Sequence, residues 1–199
     1  MIRLDSEKDG NAATDAAKSF NMLETTLLKN RTLTLFGEIN QQVARKTAEK
    51  LLALAFESDE PITLYIGSPG GHVESGDTIF DMIRFIKPKV FIVGTGWVGS
   101  IATHIYLATD KENRFALPNT RFLIHQPSGG FGGDASDIQI HAREILKTRE
   151  RINSIIAEQT GQSIERVAED TQRDYWMSAE ESIEYGLVGK IISSISEVA

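Results

Sequence analysis

Apolar runs of strand length alternate with segments of helical periodicity through the first half of the chain, and this alternation constrains the fold most. Short apolar runs that predict strands lie at 32–36, 62–66 and 90–93. Segments with helical spacing lie between them, at 41–57 and 73–86, and Pro88 closes the second. Because strand-helix-strand units build parallel sheets with crossover helices, the sequence predicts an α/β domain.

A serine, a histidine and an aspartate follow one another in an order that suits acyl transfer. Ser100 comes after the third predicted strand, His125 ends another apolar run, and Asp174 lies farther downstream. In this chemistry the histidine removes the serine proton and the acid orients the imidazole. The order alone is weak evidence, because any chain of 199 residues contains many such combinations. The Gly-x-Ser-x-Gly elbow of α/β-hydrolases is absent, since Val98 and Ala102 occupy the glycine positions.

A glycine-rich turn joins the second predicted strand to the helix that follows it. The turn is Gly67-Ser68-Pro69-Gly70-Gly71. Two adjacent glycines before a helix expose backbone N–H groups, and such donors bind an oxyanion or, equally, a phosphate. The turn therefore strengthens the acyl-transfer interpretation of Ser100 without proving it.

Longer motifs then point to a known family. They are Ser68–Gly71, His125–Pro127, Arg173-Asp174 and the segments 115–119, 140–147, 160–163 and 184–188. Together they resemble the ClpP family, the proteolytic subunits of the bacterial ATP-dependent Clp protease (peptidase family S14), over roughly residues 30–192. The resemblance implies a serine endopeptidase that hydrolyses peptides and unfolded proteins inside a ring-shaped chamber. It also implies a ClpP/crotonase-type superhelix of βαβ units with a protruding long handle helix.

The resemblance assigns roles to individual residues. Ser100 would be the nucleophile, His125 the general base and Asp174 the orienting acid. The backbone N–H groups of Gly71 and Ile101 would form the oxyanion hole. The substrate strand would pair with a groove bordered by Gly70, Gly129, Gly130 and Phe131.

The acid is the least determined member of this set. From the residues alone, the candidates downstream of His125 are Asp134, Asp137, Asp170 and Asp174. Asp134 and Asp137 flank the start of a long helical pattern and are better suited to capping it. The family pattern selects Asp174 and leaves Asp170 a surface or structural role.

The long helical pattern at 136–160 predicts assembly. At about 1.5 Å per residue it spans about 37 Å, whereas a domain of this size has a radius of gyration of about 16 Å. Ile138, Ile145 and Ile152 recur every seven residues, which suits packing against another helix. The alternative is a long helix that lies on its own domain. The resemblance implies the handle that joins two heptameric rings.

Two further residues bear on contacts between rings. By the resemblance, Gln172 and Arg173 lie in these contacts, but Gln172 stands where the family commonly has an acid. That change removes the expected charge pair. Together with Ile101 and Gly99, which also depart from the usual family residues, it favours a divergent paralogue that works beside a second ClpP subunit.

Composition excludes several classes of partner. The net charge of −7 argues against nucleic acid, and no apolar run is long enough to cross a bilayer. The chain has no cysteine, and His72, His104 and His141 lack a metal-ligand partner at i+4, so we expect no metal and structural or surface roles for these histidines. Without the apolar core of a signal peptide, a cytoplasmic location is expected. The resemblance implies an AAA+ unfoldase partner such as ClpX or ClpA that would use the ATP, so we expect no cofactor for this chain.

The predicted organisation is a mobile N-terminal segment at 1–20 and a single peptidase domain at 21–199. Two other functions remain open at this level. One is a crotonase-type acyl-CoA enzyme, which also stabilises an oxyanion with backbone N–H groups but needs no serine nucleophile. The other is a catalytically weak or regulatory ring subunit, because a complete triad can be held out of alignment.

Overall fold

The computed structural model describes residues 22–130 and 132–198. The predicted N-terminal segment at 1–20 lies outside the described residues. The helices are α1 (22–29), α2 (Gln41–Glu57), α3 (Val73–Phe85), α4 (Ile101–Tyr106), α5 (Ala135–Thr160), α6 (Ile164–Asp170) and α7 (Ala179–Tyr185). The strands are β1 (Thr32–Phe36), β2 (Ile62–Ser68), β3 (Val90–Gly99), β4 (Arg114–Ala116), β5 (Arg121–Ile124), β6 (Tyr175–Met177) and β7 (Lys190–Ile191).

The strands form one largely parallel sheet, in the order β1-β2-β3-β4-β7. Parallel pairing of β1 with β2 and of β2 with β3 requires crossovers, and α2 and α3 supply them. The predicted α/β class with βαβ units is therefore confirmed. β5 leaves this order, because it pairs in parallel with β3 and antiparallel with β6.

Strand β3 is longer than the predicted run at 90–93. Its first part pairs with β4 from Ile92 to Gly94, and its last part pairs with β5 from Trp97 to Gly99. Because a second partner takes over where the first ends, the strand continues for 10 residues to Gly99. Because β3 extends this far, Ser100 lies at the carboxyl ends of the parallel strands β3 and β5.

The hydrophobic core lies between the sheet and the helices that cross it. Leu64, Ile66 and Ile92 from the strands are fully buried, as are Leu51 of α2 and Ile79 of α3. Burial of each such side chain contributes about 1.5–3 kcal/mol to folding. The core thus fixes β2 and β3, the two strands that lead into the glycine turn and Ser100.

Helix α5 confirms the predicted long helix, and its two halves differ in environment. In the first half Ile138 and Ile140 are about half exposed, whereas Ile152 and Ile156 in the second half are buried in the domain core. The prediction that Ile152 belongs to a seam that needs an external partner is wrong. Ile152 packs on its own domain, so within residues 22–130 and 132–198 the large exposed apolar side chains of α5 lie in its first half.

The start of α5 also differs from the expectation. Asp134 occupies the N-cap position, but its side chain makes no capping hydrogen bond. Asp137 lies in the first turn, where its charge favours the positive end of the helix dipole. The helix ends at Gly161, whose φ of 77° is the left-handed conformation common at helix C-termini.

Candidate active site

Ser100 occupies a strained turn between β3 and α4. Its φ of 56° and ψ of −127° lie in a region that non-glycine residues rarely adopt. The backbone N–H of Ser100 donates to Leu123 O at 2.9 Å, and this bond holds the turn against β5. A strained elbow therefore forms without the hydrolase consensus, and it places Ser100 at the N-cap of α4.

The neighbouring glycines make this close packing possible. A Cβ on Gly70 would lie 2.7 Å from Ser100 Cβ, and a Cβ on Gly99 would lie 2.5 Å from Trp97 Nε1. Both distances are too short for real carbon contacts. A side chain at Gly70 would therefore displace the serine turn, whereas a side chain at Gly99 would first displace the indole of Trp97.

His125 lies between Ser100 and Asp174 in an unbroken hydrogen-bond chain. Ser100 Oγ is 2.8 Å from His125 Nε2, and His125 Nδ1 is 2.8 Å from Asp174 Oδ1. Because an ionised carboxylate only accepts, Nδ1 is assigned as the donor and Nε2 as the acceptor of the serine proton. The imidazole is therefore in the tautomer and position of a general base.

The register of β5 and β6 explains why Asp174 and not Asp170 reaches the histidine. Ile124 pairs with Tyr175 in this antiparallel ladder, so His125 and Asp174 follow directly at its end. The carboxylate of Asp170 instead accepts from Tyr185 Oη at 2.9 Å. Burial is the larger cause and the contact with Asp170 the second, and together they raise the pKa of Tyr185 above its usual value.

The glycine turn lies against the start of α4. Gly70 and Gly71 have φ angles of 101° and 148°, and a Cβ on Gly71 would lie 2.2 Å from Ile39 O. The turn is held in place because Ile39 N donates to Gly70 O and His72 N donates to Ile39 O, both at 2.8 Å. An ideal Cβ on Gly70 would lie 3.2 Å from Ile101 N, so the turn and the first N–H of α4 are neighbours. Such donors can stabilise an oxyanion beside Ser100.

Comparison with known protein families agrees with this arrangement of Ser100, His125, Asp174 and the glycine turn. The sequence profile of the Clp protease family matches residues 15–195. The chain belongs to the Clp protease family. It is a serine peptidase subunit of that family, and an acyl-CoA enzyme is not favoured.

Relatives and a solved structure agree with this assignment. The ATP-dependent Clp protease proteolytic subunit 3 of Rhizobium etli is 57% identical over 175 residues, which are 88% of this chain and 90% of the relative. Proteolytic subunit 2 of Pseudomonas aeruginosa is 53% identical over 171 residues, 86% of this chain and 85% of the relative. A ClpP1 mutant from Listeria monocytogenes is similar in structure, with a TM-score of 0.83 and 52% identity, over 89% of this chain and 99% of that one.

A second polar cluster lies next to the serine helix of this Clp protease subunit. Asp77 on α3 accepts two hydrogen bonds from Arg151 on α5, at 2.8 and 2.7 Å. Its Oδ1 is also 3.2 Å from Nε2 of His104, which lies on α4. Burial alone would raise the pKa of Asp77, but the contacts with His104 and Arg151 outweigh it and lower the pKa to about 2. No local sequence pattern indicates this cluster, because its members come from three separate helices.

The lowered pKa of Asp77 predicts acid-sensitive stability. Its folded pKa of about 2 is below the ordinary value of 3.8, so its contribution is complete above pH 3.8 and is lost as the pH falls through 2. Between pH 5 and pH 2 the free energy of unfolding should fall by about 1 kcal/mol more in the wild type than in Asp77→Asn, a value that allows for solvent screening. Urea unfolding of the wild type and the variant between pH 5 and pH 2 measures the difference. Parallel pH profiles would contradict the expectation.

The predicted substrate-binding and ring-contact residues near the triad are only partly described by the structure. Gly129 and Gly130 are exposed in the segment that follows His125, and Phe131 lies outside the described residues. Gln172 and Arg173 are exposed directly before Asp174. Among residues 22–130 and 132–198, no group of three or more His, Asp or Glu side chains could hold a metal ion. No helix in the described part of the chain is long and apolar enough to span a membrane.

Proposed function

We propose that Ser100, His125 and Asp174 are the catalytic triad with which this Clp protease subunit hydrolyses peptide bonds. The observation that carries the proposal is the continuous chain of two 2.8 Å contacts from Ser100 Oγ through His125 to Asp174. An unaligned triad would break this chain. The geometry therefore also favours an active subunit over a catalytically silent one.

The chemistry proceeds in two halves. In the first, Ser100 Oγ forms a bond to the peptide carbonyl carbon while its proton passes to His125 Nε2, and Asp174 stabilises the imidazolium. The C–N bond then breaks and Nε2 returns the proton to the leaving amine. In the second half, a water molecule gives a proton to His125 Nε2 while its oxygen bonds to the acyl carbon. The bond between that carbon and Ser100 Oγ then breaks, and Nε2 returns the proton to Oγ, which releases the new carboxylic acid and the free serine.

We assign the backbone N–H groups of Gly71 and Ile101 as the hydrogen-bond donors to the oxyanion of each tetrahedral intermediate. Support comes from the contact between the glycine turn and the start of α4. One such donor typically contributes about 3 kcal/mol to the stability of the transition state. Neither donor depends on a side chain, so the departure of Ile101 from the usual family residue does not weaken the assignment.

The substrate backbone is proposed to pair as an added strand with Gly70, Gly129 and Gly130. An added Cβ on Gly130 would meet nothing within 4 Å, so the chain is open to a neighbour at this position. Backbone pairing binds peptides with little regard to sequence, which suits unfolded proteins as substrates. Phe131 remains a predicted member of this groove.

Ring assembly is proposed to use the first half of α5. Ile138 is 47% exposed, Ile140 is 49% exposed and Leu146 is 54% exposed, so apolar area on this helix lacks a cover within the described chain. Ile145 is partly buried on the same helix. Docking of two α5 helices from opposing heptameric rings would cover this surface, and Gln172 and Arg173 would contribute to the same contact.

Replacing Ile145 by Glu should split a double ring into single rings or smaller species. The substitution would bury an unpaired charge in the proposed α5 contact, at a cost of several kcal/mol per site. Sedimentation velocity of the wild type, Ile145→Glu and the control Ile145→Val measures the effect, and the control should sediment as the wild type does. A wild-type monomer at micromolar concentration, or an Ile145→Glu variant that sediments unchanged, would contradict the proposal.

The partners are proposed from the relatives. Their names describe proteolytic subunits of an ATP-dependent protease and number them 2 and 3. We therefore assign this chain an AAA+ unfoldase such as ClpX or ClpA, a second ClpP paralogue and a cytoplasmic location. ATP would be consumed by the unfoldase, and this chain would need no cofactor of its own.

Peptidase activity of the purified protein tests the proposed function. Hydrolysis of fluorogenic peptides is measured for the chain alone and with a second ClpP paralogue, before and after treatment with diisopropyl fluorophosphate. The expected result is loss of hydrolysis together with one covalent adduct per chain at Ser100. Hydrolysis that survives complete modification of Ser100 would overturn the proposal.

A further inference from the structure

The carboxylate of Asp77 connects three helices beside the nucleophile. Asp77 lies on α3, and its two oxygens accept hydrogen bonds from Arg151 on α5 at 2.8 and 2.7 Å. Its Oδ1 is also 3.2 Å from Nε2 of His104 on α4, the helix that begins directly after Ser100. Two parallel hydrogen bonds between a guanidinium and a carboxylate fix the angle as well as the distance between the partners. The pair therefore holds α3 and α5 in one relative position.

Helices α3 and α4 carry the two proposed oxyanion donors. Gly71 lies two residues before α3 begins at Val73, and Ile101 is the first residue of α4. The two helices are in direct contact, because an ideal Cβ on Gly76 of α3 would lie only 2.1 Å from Ile101 Cγ1. A displacement of α3 would therefore reach both donors, Gly71 through the chain and Ile101 through this contact.

We propose that Asp77 and Arg151 are positioning residues for the oxyanion hole: their ion pair fixes α3 against α5 and so maintains the distance between the backbone N–H groups of Gly71 and Ile101. The inference rests on the proposed function, because it requires these two groups to be the oxyanion donors. Among the described residues, those that line the pocket beside Ser100 do not include Asp77 or Arg151. The pair acts through the helices and not through contact with the substrate.

Both members of the ion pair are attached to well-packed backbone. Asp77 directly follows Gly76, the residue on which the side chain of Ile101 packs. Arg151 directly precedes Ile152, which is buried in the domain core. Oxyanion donors must lie at hydrogen-bond distance from the place where the charge develops. A misplacement of about 1 Å caused far from the chemistry can cost about a hundredfold in rate, so small helix movements are expected to change kcat.

Hydrolysis of a fluorogenic peptide by Arg151→Met tests the inference. Methionine keeps an unbranched side chain at this position but cannot hold the carboxylate of Asp77. The kcat should fall about tenfold, part of the loss that a full 1 Å misplacement causes. The KM should stay within about twofold of the wild type, because no contact with the substrate is removed.

Ile79→Val is the matched control for loss of stability. Ile79 is fully buried on α3, and the substitution removes one methyl group from the core without touching the ion pair. Its kcat should stay within about twofold of the wild type. An equal fall of kcat in Ile79→Val and Arg151→Met would show a general effect of stability and would overturn the inference.

A peptide aldehyde of the same sequence measures the oxyanion hole directly. Ser100 Oγ bonds to the aldehyde carbon while its proton passes to His125 Nε2, and the carbonyl oxygen becomes the oxyanion. The inhibition constant should rise about tenfold in Arg151→Met, in parallel with the fall in kcat. An unchanged inhibition constant in an active Arg151→Met enzyme overturns the inference and leaves the proposed function intact.

A second variant shows whether the two side chains act together. Asp77→Asn keeps the size of the side chain and should also lower kcat, and it provides the same test if Arg151→Met does not fold. The double variant Asp77→Asn/Arg151→Met should lose no more kcat than the more affected single variant, because both substitutions remove one contact. Losses that multiply would overturn the inference. Absence of hydrolysis and of fluorophosphonate labelling at Ser100 in the wild type would overturn the proposed function and this inference together.

Discussion

Ser100→Ala should lower kcat for peptide hydrolysis by about a million-fold, the loss typical when a serine nucleophile is removed. Without Oγ no acyl-enzyme can form, and His125 is left without the proton it would transfer. The same variant should bind no diisopropyl fluorophosphate. Steady-state hydrolysis of a fluorogenic peptide and intact-mass measurement after labelling give the two readouts.

Ser58→Ala is the matched control for this experiment. Ser58 ends α2 and takes no part in the hydrogen-bond chain at Ser100. Its removal should leave both labelling and hydrolysis within about twofold of the wild type, as expected for a substitution outside the site. A covalent adduct that persists in Ser100→Ala would assign the nucleophile to another residue.

Asp174→Asn should lower kcat by about 10³ to 10⁴, somewhat less than loss of the nucleophile. The amide presents an N–H to His125 Nδ1 in one orientation and so favours the wrong imidazole tautomer. The side chain of Asp174 is 64% exposed, which screens its charge and places the expected loss toward the lower end of this range. The kcat of the variant and its KM are measured together, and the loss should lie in kcat.

Asp170→Asn distinguishes the two aspartates of this segment. An amide oxygen can still accept from Tyr185 Oη, and Asp170 does not contact the imidazole of His125 in the hydrogen-bond chain. The variant should retain activity within a few-fold and change mainly the free energy of unfolding. If Asp170→Asn lost activity as severely as Asp174→Asn, the assignment of the acid from the β5–β6 register would be wrong.

Local sequence patterns determined the elements that build the framework. The helix predicted at 41–57 is α2 with the same bounds, and the first strand is also unchanged. These segments have clear periodicity and a cap, Asn40, whose side chain accepts from Val43 N. The order of Ser100, His125 and Asp174, with the family motifs around them, was also sufficient to predict which residues meet at the site.

The conformation of Ser100 could not be predicted from its neighbours alone. A serine disfavours positive φ, and the hydrolase consensus for a strained elbow is missing. The strain is maintained by contacts that are distant in sequence, namely the bond from Ser100 N to Leu123 O and the close approach of Gly70. Such contacts exist only once β3, β5 and the glycine turn are assembled.

The sequence by itself therefore determined the α/β elements, the long helix and the residues that meet at the candidate site, because these follow from local periodicity and from motifs. Only the tertiary structure decided that Ile152 is buried in its own domain and that His104 and Arg151 both contact Asp77 near Ser100. Periodicity shows which residues share a helix face, but not what that face packs against. What a helix face packs against depends on how separate helices pack on one sheet. This packing places the buried His104 in the wall of the pocket beside Ser100.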